Sequence, residues 1–136
     1  MKVLLDTNII IDFLAKREPF ANDAKAIIEL IETEQIDGFL SASSITTIHY
    51  LACKIYNKEL ANTIIKDLLN IFNVTDLNKI DFINALAING KDFEDSVIVA
   101  TAGSNGIDII ITRDKKGFLK SNILTLKPKE FLATIA

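Results

Sequence analysis

The sequence predicts an α/β domain in which a parallel sheet carries helices on both faces. Short β-like apolar runs alternate with longer stretches of helical periodicity along the chain, the pattern of strands joined by helical crossovers. Only five Gly and two Pro occur in 136 residues, which points to long regular elements and short loops. An apolar fraction of 49% supplies a sizeable core. With no repeat, low-complexity tract or linker, residues 1–136 are read as one domain of common size.

The elements follow in order. Val3–Leu5 is a short buried strand, ended by Asp6. A helix runs from Thr7 to Ala15. Pro19 opens a second, to Glu34, in which Ala24, Ile27, Ile28 and Ile31 recur at helical spacing. The turn Asp37-Gly38 leads into a second strand, Phe39–Ser41. Ser43 or Ser44 is a suitable N-cap for a helix through Tyr56, because a hydroxyl there accepts from free amides of the first turn. Another helix covers Lys58–Asn70, with Leu60, Ile64, Leu68 and Ile71 in step. Phe72–Thr75 reads as a third strand and Asn78–Ile88 as a helix. Asp92 begins a helix that ends near Gly103. Ile107–Thr112 is the strongest strand, Leu124–Leu126 a weaker fifth, and Pro128 starts a final helix.

A net charge of −3 argues against a broad electropositive surface for duplex DNA. A local basic rim is available from Lys16-Arg17, Lys54, Lys91 and Arg113 with Lys115-Lys116, although scattered lysines also serve as a plain solvated face. Cys53 is the single cysteine, so it makes no internal disulfide. Its apolar helical surroundings suit a buried thiol. The lone His49 lies four residues away on the same helix with no third orienting group, which disfavours a nucleophile pair. One His and one Cys also exclude a standard structural zinc site. Neither Val3–Leu5 nor Asn8–Leu14, which Asp12 interrupts, has the form of a signal peptide or membrane span. A cytoplasmic, reducing location is expected.

Sheets of this kind bind ligands beyond the carboxyl ends of their strands, where strand order reverses. Two acids fall there by the same local pattern: Val3-Leu4-Leu5 is followed by Asp6, and Ile109-Ile110-Ile111 by Thr112-Arg113-Asp114. If the two strands are neighbours, the carboxylates face each other and stay ionised only around a cation or with raised pKa values. A third acid, Asp95, precedes Val97-Ile98-Val99-Ala100-Thr101-Ala102, whose small and β-branched residues let a helix pack closely on the sheet. Each acid also has a purely structural reading. Asp6 suits a helix cap, Asp92 and Asp95 suit an N-cap with its first-turn partner, and Asp114 suits a turn before Gly117. Glu94, about 100° round the helix from Asp95, is expected to point into solvent. Three acids at three sheet-edge positions favour a site. Hard oxygen ligands select Mg²⁺ or Mn²⁺, and such a cluster suits phosphodiester hydrolysis. Thr7, Asn8 and Thr112 are placed to orient the carboxylates. Lys91, Arg113 and Lys115 are candidate substrate contacts.

These residues resemble a known family, the PIN domains. Leu4-Leu5-Asp6-Thr7-Asn8-Ile9-Ile10-Ile11-Asp12 resembles their N-terminal signature, and Phe93 to Ala102 the helix carrying their later acid. Ile110 to Phe118 resembles their last acidic strand end, and Leu126 to Leu132 their C-terminal helix start. The likeness spans essentially the whole chain. It implies a three-layer fold with a five-stranded parallel sheet. It further implies Mg²⁺- or Mn²⁺-dependent endoribonuclease activity, often as the toxin of a bacterial toxin–antitoxin pair, with RNA as substrate, an antitoxin protein as partner and a homodimer as assembly. Asp6, Asp95 and Asp114 carry over as the catalytic and metal-holding acids. Asp12 has no catalytic counterpart and is expected on the exposed face of the first helix.

One departure stands out. The family usually carries a Glu on the helix after the second strand, where this chain reads Ser43-Ser44-Ile45-Thr46-Thr47-Ile48-His49-Tyr50. His49 stands at the expected position, and no acid occurs between Asp37 and Glu59. The chain thus resembles a branch with an Asp-Phe-Glu-Asp stretch that lacks this acid. Three roles are open to His49: a packed helix residue, a neutral imidazole ligand that shifts preference toward Mn²⁺, or a cation on the scissile phosphate. The departure motivates a rival reading, a PIN-like module with weakened catalysis that binds RNA or protein. A phosphotransferase of the haloacid-dehalogenase type is disfavoured because Asn8 stands where that chemistry needs a second Asp. A dinucleotide-binding fold is disfavoured because no Gly-rich turn follows the first strand.

Overall fold

The computed structural model describes residues 1–135. Five strands are present among the described residues: β1 (Lys2–Leu5), β2 (Asp37–Leu40), β3 (Asn73–Val74), β4 (Ile109–Ile111) and β5 (Leu124–Leu126). The helices are α1 (Thr7–Leu14), α2 (Ala21–Glu32), α3 (Ala42–Ile55), α4 (Lys58–Ile71), α5 (Lys79–Ile88), α6 (Phe93–Ser104) and α7 (Pro128–Ile135), with a 3₁₀ turn at Lys115–Phe118. The strands pair in parallel in the order β3-β2-β1-β4-β5. Order reverses at β1, which lies between β2 and β4. Leu5 pairs with Ile111, so the residues that follow each strand emerge side by side.

Strand side chains alternate between faces, and the core divides accordingly. Val3, Leu5, Ile109 and Ile111 pack with Ile9, Ile10, Ile27, Ile48 and Phe131 on one face. Leu4 and Ile110 pack with Ile98, Val99, Ala102 and Phe118 on the other. Ala85 of α5 then meets Val97 and Ala100 of α6. The small side chains of α6 thereby serve two contacts, one to the sheet and one to α5. This is the three-layer arrangement expected, with the parallel five-stranded sheet in the middle.

Where boundaries depart from expectation, hydrogen bonds give the reason. α2 starts at Ala21 rather than Pro19, because the amides of Phe20 and Ala21 close a turn on the Arg17 carbonyl. It ends before Glu34 in a Schellman motif: Glu34, at φ 61°, donates to Ile31 and Gln35 donates to Leu30. α1 ends the same way at Lys16, φ 53°. Neither stop carries the usual Gly. α3 begins earlier than Ser43 because Ser41, extended and buried, is its N-cap, and β2 correspondingly ends at Leu40.

Candidate metal centre

Asp6 leaves β1 and is the N-cap of α1, so its backbone turns the chain from strand to helix at the switch point. It is only 8% exposed. One carboxylate oxygen accepts from the Thr7 amide at 2.8 Å and the other from the Thr112 hydroxyl at 2.7 Å. The cap and the pocket carboxylate are therefore one group. Burial pushes its pKa up; the bonds from Thr112 and Thr7 partly offset this, and the charges of Asp114 and Asp92 push the same way as burial.

Thr112, buried at the end of β4, also accepts from the Asp114 amide at 3.0 Å and from Asn8 Nδ2 at 3.5 Å. Its hydroxyl thus ties together the residue after β1, the residue beyond β4 and the first turn of α1. Asp95 reaches the same pocket from the first turn of α6, where the Asp92 side chain caps its amide at 3.1 Å. Burial raises the Asp95 carboxyl to about 7, with repulsion from Asp6, Asp92, Glu94 and Asp114 adding to it. The 3₁₀ turn closes against this carboxylate. A Cβ at Gly117 would lie 2.2 Å from Asp95 Oδ2 and 3.7 Å from Asp114 Oδ2, so any larger residue there would displace the Asp95 carboxylate.

A pocket of about 290 Å³ is lined by Asp6, Thr7, Asn8, Ile11, Arg17, Thr47, Leu51, Glu94, Asp95 and Asp114. It brings the three expected acids together with Thr7 and Asn8, and Thr112 lies behind it as their tie. Thr7 Oγ1 and Asn8 Oδ1 are buried without a hydrogen-bond partner, an unusual cost for two neighbouring oxygens. Four carboxylates around one cavity, with two orphaned oxygens buried in the residues that line it, fit a hard divalent cation. Among the described residues no three acidic, His or Cys side chains are already gathered into a ligand set. The oxygens would have to draw in around an ion that keeps some of its water, the usual habit of Mg²⁺.

Several expectations need correction. Glu94 is solvent-exposed, as expected, yet it borders the pocket, and partial burial, Asp92 and Asp6 all raise its pKa. The pocket sits across the open end of α6, where a 100° step between residues does not carry a side chain clear of it. His49 lies outside the pocket. Its Nε2 meets Asn62 Oδ1 of α4 at 2.7 Å, and Cys53 Sγ is 3.9 Å away, so it is a packed helix residue. Thr47 and Leu51 present the pocket face of α3, and two residues of helix turn His49 about 200° from Thr47. Asp12 is fully buried rather than exposed. It takes a two-pronged ion pair from Arg113 and lies 3.9 Å from Arg17. Arg113 is therefore engaged with Asp12 and the Phe20 ring, Lys115 pairs with Glu130 at 2.8 Å, and Lys91 is exposed away from the pocket lining. The cation at the acids is Arg17. Its signal was its place in the basic pair after α1, which did not distinguish it from the other basic residues.

Comparison with known proteins agrees with this fold. A ribonuclease named VapC1 from Aquifex aeolicus (strain VF5) is 29% identical over 135 residues, covering 96% of this chain and 92% of that protein. The structure of VapBC2 from Rickettsia felis bound to a DNA fragment from their promoter superposes with a TM-score of 0.74 at 16% identity, covering 93% of this chain and 98% of that one. A toxin–antitoxin complex from Klebsiella pneumoniae gives 0.65 at 23% identity, covering 86% and 90%. These likenesses establish the fold. No helix among the described residues is long and apolar enough to cross a membrane. A family model described as the PIN domain matches residues 2–116, and the chain belongs to that family.

Proposed function

We propose that this protein is a divalent-metal-dependent endoribonuclease, the toxin of a bacterial toxin–antitoxin pair, acting on RNA in the cytoplasm. One observation carries the reading: the Thr112 hydroxyl binds the Asp6 carboxylate and the Asp114 amide, so two strand-end acids are held beside Asp95 in one pocket. Asp6, Asp95 and Asp114 would hold Mg²⁺ or Mn²⁺. When bound, the metal would activate a water and offset charge on the attacked phosphodiester. Thr112 fixes the Asp6 oxygen that faces it, and Thr7 and Asn8, whose side-chain oxygens lack partners, would help to hold the ion. Glu94 brings a fourth carboxylate from α6, which makes good the acid absent from α3. Arg17 at the rim would meet an incoming phosphate. The relatives named above supply the ribonuclease and toxin–antitoxin context, with an antitoxin and a second copy of the chain as partners.

The test is cleavage of a labelled single-stranded RNA with Mn²⁺ or Mg²⁺. We expect activity that EDTA abolishes and that Asp6→Asn or Asp114→Asn reduces by about a thousandfold, on the scale of losing preorganised electrostatic stabilisation. Cleavage that persists in EDTA, or in both variants, refutes the proposal. The lack of a carboxylate on α3 favours one second reading, a PIN-like binding module without catalysis. Calorimetric titration with Mn²⁺ separates the two, because a disabled pocket leaves no saturable site.

A further inference from the structure

We propose that a second pocket, beside the acids, is a subsite for a nucleotide of single-stranded RNA flanking the scissile phosphate; the proposal rests on the ribonuclease reading above. This pocket, of about 290 Å³, is lined by Phe20, Asp23, Arg113, Lys127, Pro128 and Lys129. It occupies the next position along the same sheet edge. The acid pocket lies over the ends of β1 and β4, and this one over the ends of β4 and β5, since Arg113 follows β4 and Lys127 follows β5. One peptide bond separates Arg113 from Asp114. Asp12 joins the two pockets from beneath, receiving Arg113 of one and approaching Arg17 of the other. A chain that places one phosphate at the acids therefore has this pocket beside it for a flanking nucleotide.

The lining has the two features that single strands require, a flat surface for a base and a cation for the backbone. The Arg113 guanidinium lies 4.0 Å from the centroid of the Phe20 ring, and its ion pair with Asp12 holds it in place. Phe20 remains 38% exposed, although its ring is apolar. Splayed bases stack on such aromatic and guanidinium planes. Lys129 is partnered by Asp23 at 3.4 Å, whereas Lys127 makes no ion pair among the described residues. Lys127 is thus the cation left for a phosphate. Fixing the loop before Asp114 explains Arg113 by itself; it explains neither the exposed ring nor the unpaired ammonium.

The test is fluorescence anisotropy with a short 5′-labelled single-stranded oligoribonucleotide in EDTA, alongside Mn²⁺-supported cleavage of the same RNA. Phe20→Ala should weaken binding by about tenfold, the scale of one lost base stack, and Phe20→Trp should restore it. Lys127→Ala should weaken binding and lower the slope of log affinity against log salt by about 0.7, one phosphate contact on a single strand. In cleavage both losses should appear in KM, with kcat held within about twofold, as expected for removal of uniform binding. Unchanged affinity and KM in Phe20→Ala and Lys127→Ala, with wild-type cleavage intact, overturns the subsite and leaves the nuclease standing. A loss in Phe20→Ala that Trp does not restore, with Lys127→Ala unaffected, also overturns it. A wild-type protein that neither binds nor cleaves RNA overturns both.

Discussion

Replacing Asp95 with Asn should stabilise the metal-free protein at alkaline pH. The carboxyl is raised from 3.8 to about 7 by burial and by the acids around it. Taken at face value, a shift of about three units corresponds to ~4 kcal/mol of strain in the charged form. Asp95 is only about half buried, so solvent screening brings this down to ~1–2 kcal/mol. Removing the charge also forfeits its attraction to the N-terminus of α6, ~0.3–1 kcal/mol. The net gain is about 1 kcal/mol, or roughly 3–4 °C in Tm for a domain of this size. The sign follows from linkage. The native state binds this proton more tightly than the unfolded chain, so wild-type stability falls as pH rises from about 4 to about 7. The advantage of the variant should accordingly be small near pH 4 and complete above pH 7. Thermal denaturation in EDTA across that range measures it. Saturating Mn²⁺ should reverse the order, because ligand at a hundredfold excess over its Kd adds ~2.7 kcal/mol to the protein that binds it. An Asp95→Asn protein less stable than wild type at pH 8 without metal, or a difference that does not vary with pH, would rule this electrostatic strain out.

Other perturbations probe the supports of the site. Asp12→Ala leaves the part-exposed Arg113 without its partner and should cost about 1.5–3 kcal/mol, the scale of hydrogen bonds to a charged group, read in urea denaturation; a loss under about 1 kcal/mol would show the pair to be unimportant. Gly117→Ala puts a methyl on Asp95 Oδ2 and should weaken Mn²⁺ binding by tenfold or more in calorimetry while the far-ultraviolet circular dichroism is kept. Glu94→Gln should weaken Mn²⁺ by roughly tenfold, on the scale of a lost metal-site partner, and an unchanged affinity would remove Glu94 from the ligand set. His49→Ala should cleave RNA within about twofold of wild type, since the imidazole faces Asn62 of α4.

The strand-end acids were legible because their surroundings are local. An apolar triplet with an acid within three residues of its end marks the edge of a buried strand wherever the rest of the chain goes, and Asp6 and Asp114 share that mark. The small side chains after Asp95 carried the approach of α6 to the sheet. What escaped depends on contacts distant in sequence or on helical phase. Asp12 looks solvent-facing until Arg113, 101 residues away, is known to reach it. His49 and Thr47 differ only in phase around α3, which alignment to a motif does not determine. Glu94, although exposed, borders the pocket because the pocket lies across a helix end, where the rule for helix faces does not apply. The ends of α1 and α2 were overrun because Lys16 and Glu34 adopt the left-handed conformation usually marked by Gly.

The most direct test is a crystal soaked in Mn²⁺ and measured at a wavelength where manganese scatters anomalously. One strong peak is expected, bounded by the carboxylates of Asp6, Asp95 and Asp114, with Thr112 still bonded to Asp6 and His49 remote from the ion. A soaked crystal with no peak in this pocket, or with manganese held at another cluster of acids, would contradict this metal site.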